Sequence, residues 1–78
     1  MSNQDLSCHL QRIDPARNMR RFYVLSVERD LLGDALLVRR WGRIGTFGQL
    51  RKECFPSLRE AEKALQAWRR AKLRKGYC

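Results

Sequence analysis

Acidic residues are scarce in this chain and unevenly placed. No Asp or Glu lies between Asp34 and Glu53, and none follows Glu62. Across 78 residues, 8 acids stand against 17 lysines and arginines, a formal net charge of +9. A surplus of that size on so small a body argues against cationic partners. It points to polyanions, nucleic acid first and an anionic membrane surface second. Histidine occurs once, at His9, and the three cysteines, Cys8, Cys54 and Cys78, form no C-x-x-C pair. That leaves no zinc-ligand spacing, so neither a metal nor another cofactor is expected. There is no Ser/His/Asp or Cys/His set, and the glycines match neither a P-loop nor a dinucleotide fingerprint. Enzymatic activity is therefore not expected. No apolar run approaches a signal core or a membrane span, so the expected location is a reducing cytoplasm, with nucleoid association compatible. Repeats, low-complexity tracts and linkers are absent too. One domain of this length has room for about one sheet layer and one helix.

What is there reads as a run of strands followed by a helix. Leu6 to Ile13 alternates Leu6, Cys8, Leu10 against Ser7, His9, Gln11, a half-buried strand with His9 facing solvent rather than serving as a ligand. Met1–Asp5 before it is polar and expected to be disordered. Asp14 to Asn18 reads as a turn around Pro15. Phe22 to Glu28 carries apolar residues on both faces and reads as a central strand. Arg29 to Asp34 is a hairpin loop with Gly33 near its end. Ala35 to Trp41 is the next strand, and Gln49 to Phe55 a further one. Pro56-Ser57 stops the strands and caps a helix, with Glu60 completing a capping-box spacing. Leu58, Ala61, Ala64, Leu65, Trp68 and Ala71 recur as one apolar stripe on that helix. Gly76 ends it, and Tyr77 is expected to fold back onto the body. The expected class is α+β: an antiparallel meander of about four strands packed against one C-terminal helix. Trp68 is assigned to the core and Trp41 to a partly exposed position. Cys8 and Cys54 are expected to be buried thiols and Cys78 an exposed one.

The stretch around which this pattern is arranged is Arg39-Arg40-Trp41-Gly42-Arg43-Ile44-Gly45-Thr46-Phe47-Gly48-Gln49. Its three glycines, three apart, mark backbone needing positive φ or close approach. On content alone, a tryptophan at a strand end is a core plug followed by a turn. Yet cations flank Trp41 on both sides, and an exposed loop of this kind would set an aromatic platform in a positive field. Further cations follow in Arg51 and Lys52. The late helix adds Lys63, Arg69, Arg70, Lys72, Arg74 and Lys75, more than a helix C-terminus needs to complement its dipole.

The order of these residues resembles the WGR domain family. Its Trp-Gly-Arg triplet stands at Trp41-Gly42-Arg43, followed by Ile44-Gly45-Thr46 and Gly48-Gln49. The aromatic strand Phe22-Tyr23-Val24-Leu25-Ser26-Val27 is similar to the family's earlier strand. Phe55, Ser57 and Glu60–Leu65 are similar to its later helix, and Lys72, Gly76 and Tyr77 to its Lys-x-x-x-Gly-Tyr ending. The resemblance covers residues 6–77. It implies a nucleic-acid-binding module, with DNA favoured over RNA, because WGR domains accompany DNA-damage-responsive ADP-ribosyltransferases and bind DNA near breaks. There the tryptophan packs on a terminal sugar and the arginine meets backbone, roles that fall here on Trp41 and Arg43, with Gly42 allowing close approach. Arg39, Arg40, Lys52, Lys72 and Lys75 are added, from the charge pattern, as phosphate contacts. The family's Asn and Lys before the aromatic strand are not matched in place, since Asn18 and Arg20-Arg21 stand there. Within these 78 residues there is no transferase domain, so no relay to catalysis is read. The competing reading is a protein-interaction module docking an acidic partner through the Trp41 loop. A third, a membrane-surface helix over residues 58–75, is disfavoured because its apolar side is needed for the core.

Overall fold

The structure, a computed structural model, describes residues 6–78; the expected disorder of Met1–Asp5 lies outside the described residues. Four strands, β1 (Leu6–Asp14), β2 (Met19–Arg29), β3 (Ala35–Arg43) and β4 (Gln49–Phe55), precede one helix, α1 (Leu58–Arg74). Sheet order follows chain order, β1-β2-β3-β4, and all three pairings are antiparallel. The fold is α+β, a four-stranded meander with one helix laid across a single face.

Strand alternation decides which residues meet that helix. Leu10 of β1, Tyr23, Leu25 and Val27 of β2, and Ala35 and Leu37 of β3 point to it and are buried, with Ala61 and Leu65 closing the core from α1. Leu25, Leu37 and Val27 are inaccessible to solvent. The Ser57 hydroxyl accepts from the Glu60 N–H at 3.2 Å and so starts the helix. Its end is a Schellman arrangement. Gly76 N–H donates to Leu73 C=O and Tyr77 N–H to Lys72 C=O, both at 3.1 Å, with Gly76 at φ +97. This turn buries Tyr77, and Cys78 then exchanges two backbone hydrogen bonds of 2.9 Å with Gln11 on the outer edge of β1.

Several expectations need correction. The Asp14–Asn18 turn contains a 3-10 segment, Pro15–Arg17, closed by Asn18 in the left-handed region at φ 53. Strand β2 begins at Met19 rather than Phe22, and β3 runs on to Arg43. Gly42 and Arg43, expected in the connection, are therefore strand like Trp41 before them, because Gly42 pairs with Phe22 and Arg43 with Arg21. Only Ile44–Gly48 is connection. Gly42 is needed for space: a Cβ there would stand 2.8 Å from the Gly48 Cα. Gly48 combines a φ of +79 with a site where a Cβ would run into the Trp41 carbonyl. Cys54 is exposed, since it lies on the sheet face away from the helix and on the edge strand. Cys8 is half-buried, and Cys78 is exposed. Trp68 is only half-buried, because α1 extends beyond the part of the sheet covered by core side chains.

Candidate nucleic-acid interface

Beyond Leu37, strand β3 continues toward the helix side with Arg39, Trp41 and Arg43. Opposite them in register stand Leu25, Tyr23 and Arg21 of β2. The helix passes over this end of the sheet with Trp68 and Lys72. A groove of about 620 Å³ results, lined among others by Arg21, Tyr23, Arg39, Trp41, Arg43, Trp68 and Lys72.

Its floor is aromatic. The Tyr23 ring stacks on Trp41 at 5.7 Å between centroids and on Trp68 at 6.2 Å, while Tyr77 meets it edge-on at 6.2 Å. Cations lie on these rings. The Arg39 guanidinium is 4.1 Å from the Trp68 centroid and 5.4 Å from that of Trp41, and its Nη1 donates to the Tyr23 hydroxyl at 3.0 Å. Arg39 Nε is buried without a hydrogen-bond partner. Lys72 Nζ sits 4.4 Å from the Tyr23 centroid. Burial lowers the Lys72 pKa from its ordinary 10.5, and the neighbouring charges of Lys75, Arg39 and Arg21 lower it further. Acids do not balance this field: no Asp or Glu lines the groove, and the only ion pair among the described residues is Arg17–Asp14, at 3.7 Å.

Of the eight residues named from the sequence, Arg39, Trp41, Gly42, Arg43 and Lys72 line this groove. Arg40 and Lys52 stand elsewhere, because alternate strand residues project to opposite faces. The Arg40 guanidinium lies on the other side of the sheet, 4.9 Å from the Phe22 ring and 4.8 Å from the Phe47 ring, and donates to the Phe47 carbonyl at 2.8 Å. Lys52 pairs in register with Val38 on that same face and is exposed. Lys75 is the helix C-cap, exposed and outside the groove lining. Sequence reasoning missed Arg17, did not single out Tyr23 for the site, and assigned Trp68 to the core. Arg20, Arg21 and Asn18, set aside as departures from the family pattern, also line the groove. One signal for Arg21 was available: the β2–β3 hairpin register sets it across from Arg43.

Fold and groove together define a small basic sheet-and-helix module with a cation-rimmed aromatic cleft. The family model for the WGR domain matches residues 6–78, and the chain belongs to the WGR domain family, which is generally nucleic-acid binding. Among curated proteins it is similar to the uncharacterized protein y4dW of Sinorhizobium fredii (strain NBRC 101917 / NGR234), with 40% identity over 77 residues. That alignment covers 99% of this chain but 38% of the relative, so the chain spans well under half of the relative's length. No solved structure matches significantly. Among the described residues, no helix is long and apolar enough to cross a membrane.

Proposed function

We propose that this chain binds nucleic acid, DNA in preference to RNA, by seating the phosphate backbone in the groove and packing a terminal nucleotide against Trp41. The observation that carries this reading is the groove itself, where stacked Tyr23, Trp41 and Trp68 are rimmed by Arg21, Arg39, Arg43 and Lys72 with no acid among the lining residues. Phosphates displace counterions there, giving sequence-independent affinity on the order of 10⁻⁴–10⁻⁶ M at physiological salt. Trp41, half-buried at the rim, adds a preference for free ends, about 1–3 kcal/mol by the scale of base–aromatic stacking. A cytoplasmic location with access to the nucleoid goes with this role.

The test is fluorescence anisotropy across a salt series, with blunt duplex, single strand and closed hairpin of matched length. Binding should weaken steeply with salt and favour the blunt duplex over the closed hairpin, and Trp41→Ala should erase that preference. Salt-sensitive binding indifferent to ends and to Trp41 would leave only a basic surface. Absence of binding, with capture of an acidic peptide instead, would replace this reading by the protein-interaction one.

A further inference from the structure

Among the described residues, no second layer covers the face of the sheet turned away from α1. On it lie Phe22 and Val24 of β2, Leu36, Val38 and Arg40 of β3, and Leu50 and Lys52 of β4. The β2 and β3 members are half-buried by one another, while Leu50 is 47% exposed and Phe47, beside Arg40, is 64% exposed. The Arg40 guanidinium is held between the Phe22 and Phe47 rings at 4.9 and 4.8 Å, and its bond to the Phe47 carbonyl fixes the Ile44–Gly48 connection against it. Next to this stack is a shallow depression of about 260 Å³, into which His9 and Gln11 of β1 bring polar groups.

We propose that this open face is a second nucleic-acid surface, a platform for an unpaired strand, separate from the Trp41 groove. The stacked ring–guanidinium–ring layer is the kind of surface on which unpaired bases stack without sequence preference. His9 and Gln11 can meet base edges, and Lys52 stands free for a phosphate. Charge selects this occupant. Among the described strand residues on this face the acid is Glu28, at the far end of β2 and engaged by the Ser26 hydroxyl at 3.1 Å. A second copy of the chain would bring another +9 against the first, which opposes self-association here. Arg40 stands on the opposite face of β3 from Trp41 and Arg43 and is tied to Phe47 in the connection that follows, so a duplex end in the groove and its frayed strand on the platform would meet at Ile44–Gly48.

The experiment uses the full chain with a labelled short oligothymidylate and, separately, a labelled blunt duplex. Phe47→Ala and Lys52→Glu change exposed side chains, and thermal melting checks that both variants fold. Phe47→Ala should weaken oligothymidylate binding about tenfold, within the range for one base–aromatic stack, and leave blunt-duplex affinity within about twofold. Lys52→Glu should weaken the same strand and flatten its salt dependence. The platform also stands if duplex binding fails altogether while strand binding keeps its dependence on Phe47; that result would remove only the groove reading. Unchanged strand affinity in both variants overturns the proposal. So does strand binding abolished by Trp41→Ala but not by Phe47→Ala, because the strand would then lie in the groove. A dimer that Phe47→Ala dissociates, with strand affinity unaffected, would make the face a self-interface and overturn it equally.

Discussion

At the scale of single residues, the groove is held by contacts that oppose one another. Lys72 lies on an aromatic ring near Arg39, Arg21 and Lys75, so its protonated form is disfavoured in the folded protein. The consequence has a definite sign. Its folded pKa lies below the 10.5 of an ordinary lysine, so between those values the unfolded chain binds more protons and this residue's contribution to stability rises with pH. Urea midpoints followed as pH rises toward 10.5 should show that increment in the wild type and lack it in Lys72→Met. A bound polyanion reverses the effect, and proton uptake should accompany binding at alkaline pH, visible as calorimetric heats that change with buffer ionisation enthalpy. Gly48 is another single-residue constraint. Gly48→Ala requires an alanine at φ +79 with its Cβ against the Trp41 carbonyl, and should cost about 1–3 kcal/mol, read as a lower urea midpoint.

At the scale of elements, β3 is the strand that connects core to site. Its helix-side residues run from Ala35 and Leu37, both buried, to Arg39, Trp41 and Arg43, half-buried or exposed. A single extended strand thus anchors one end in the core and presents the other as a rim. Leu37→Ala leaves a cavity under α1 and should destabilise by about 2–5 kcal/mol in chemical denaturation. The helix contributes through its ends. Removing the cap with Ser57→Ala should cost about 0.5–2 kcal/mol. Because Lys72 and Trp68 sit in the last turns, fraying at Gly76 should weaken nucleic-acid affinity more than fraying at Ser57.

At the scale of the whole molecule, one sheet covered on one side makes an elongated body. Its radius of gyration is 13.6 Å, against about 11.5 Å for a compact chain of this length. The groove cations should govern the salt dependence of duplex binding. Arg43→Ala should lower the slope of log K against log salt by about 0.9, one phosphate contact, whereas Lys75→Ala should change it less because Lys75 is outside the groove lining.

The meander, the helix with its Ser57 cap and Gly76 stop, and the family marked by Trp41-Gly42-Arg43 were all legible in the sequence. They depend on local alternation, capping chemistry and residue order, which short-range rules capture. The opposite facing of Arg39 and Arg40 was legible too, because both fall within the expected strand Ala35 to Trp41, where neighbours alternate. That Arg21, Arg39, Arg43 and Lys72 gather along one groove while Lys52 and Lys75 stay outside it was not legible. Neither was the use of Trp68 as a groove wall, because an apolar stripe shows which side of a helix faces the sheet but not where the sheet's buried patch ends. Both outcomes depend on register and on how far one element overhangs another, and those are set only when strands and helix pack together.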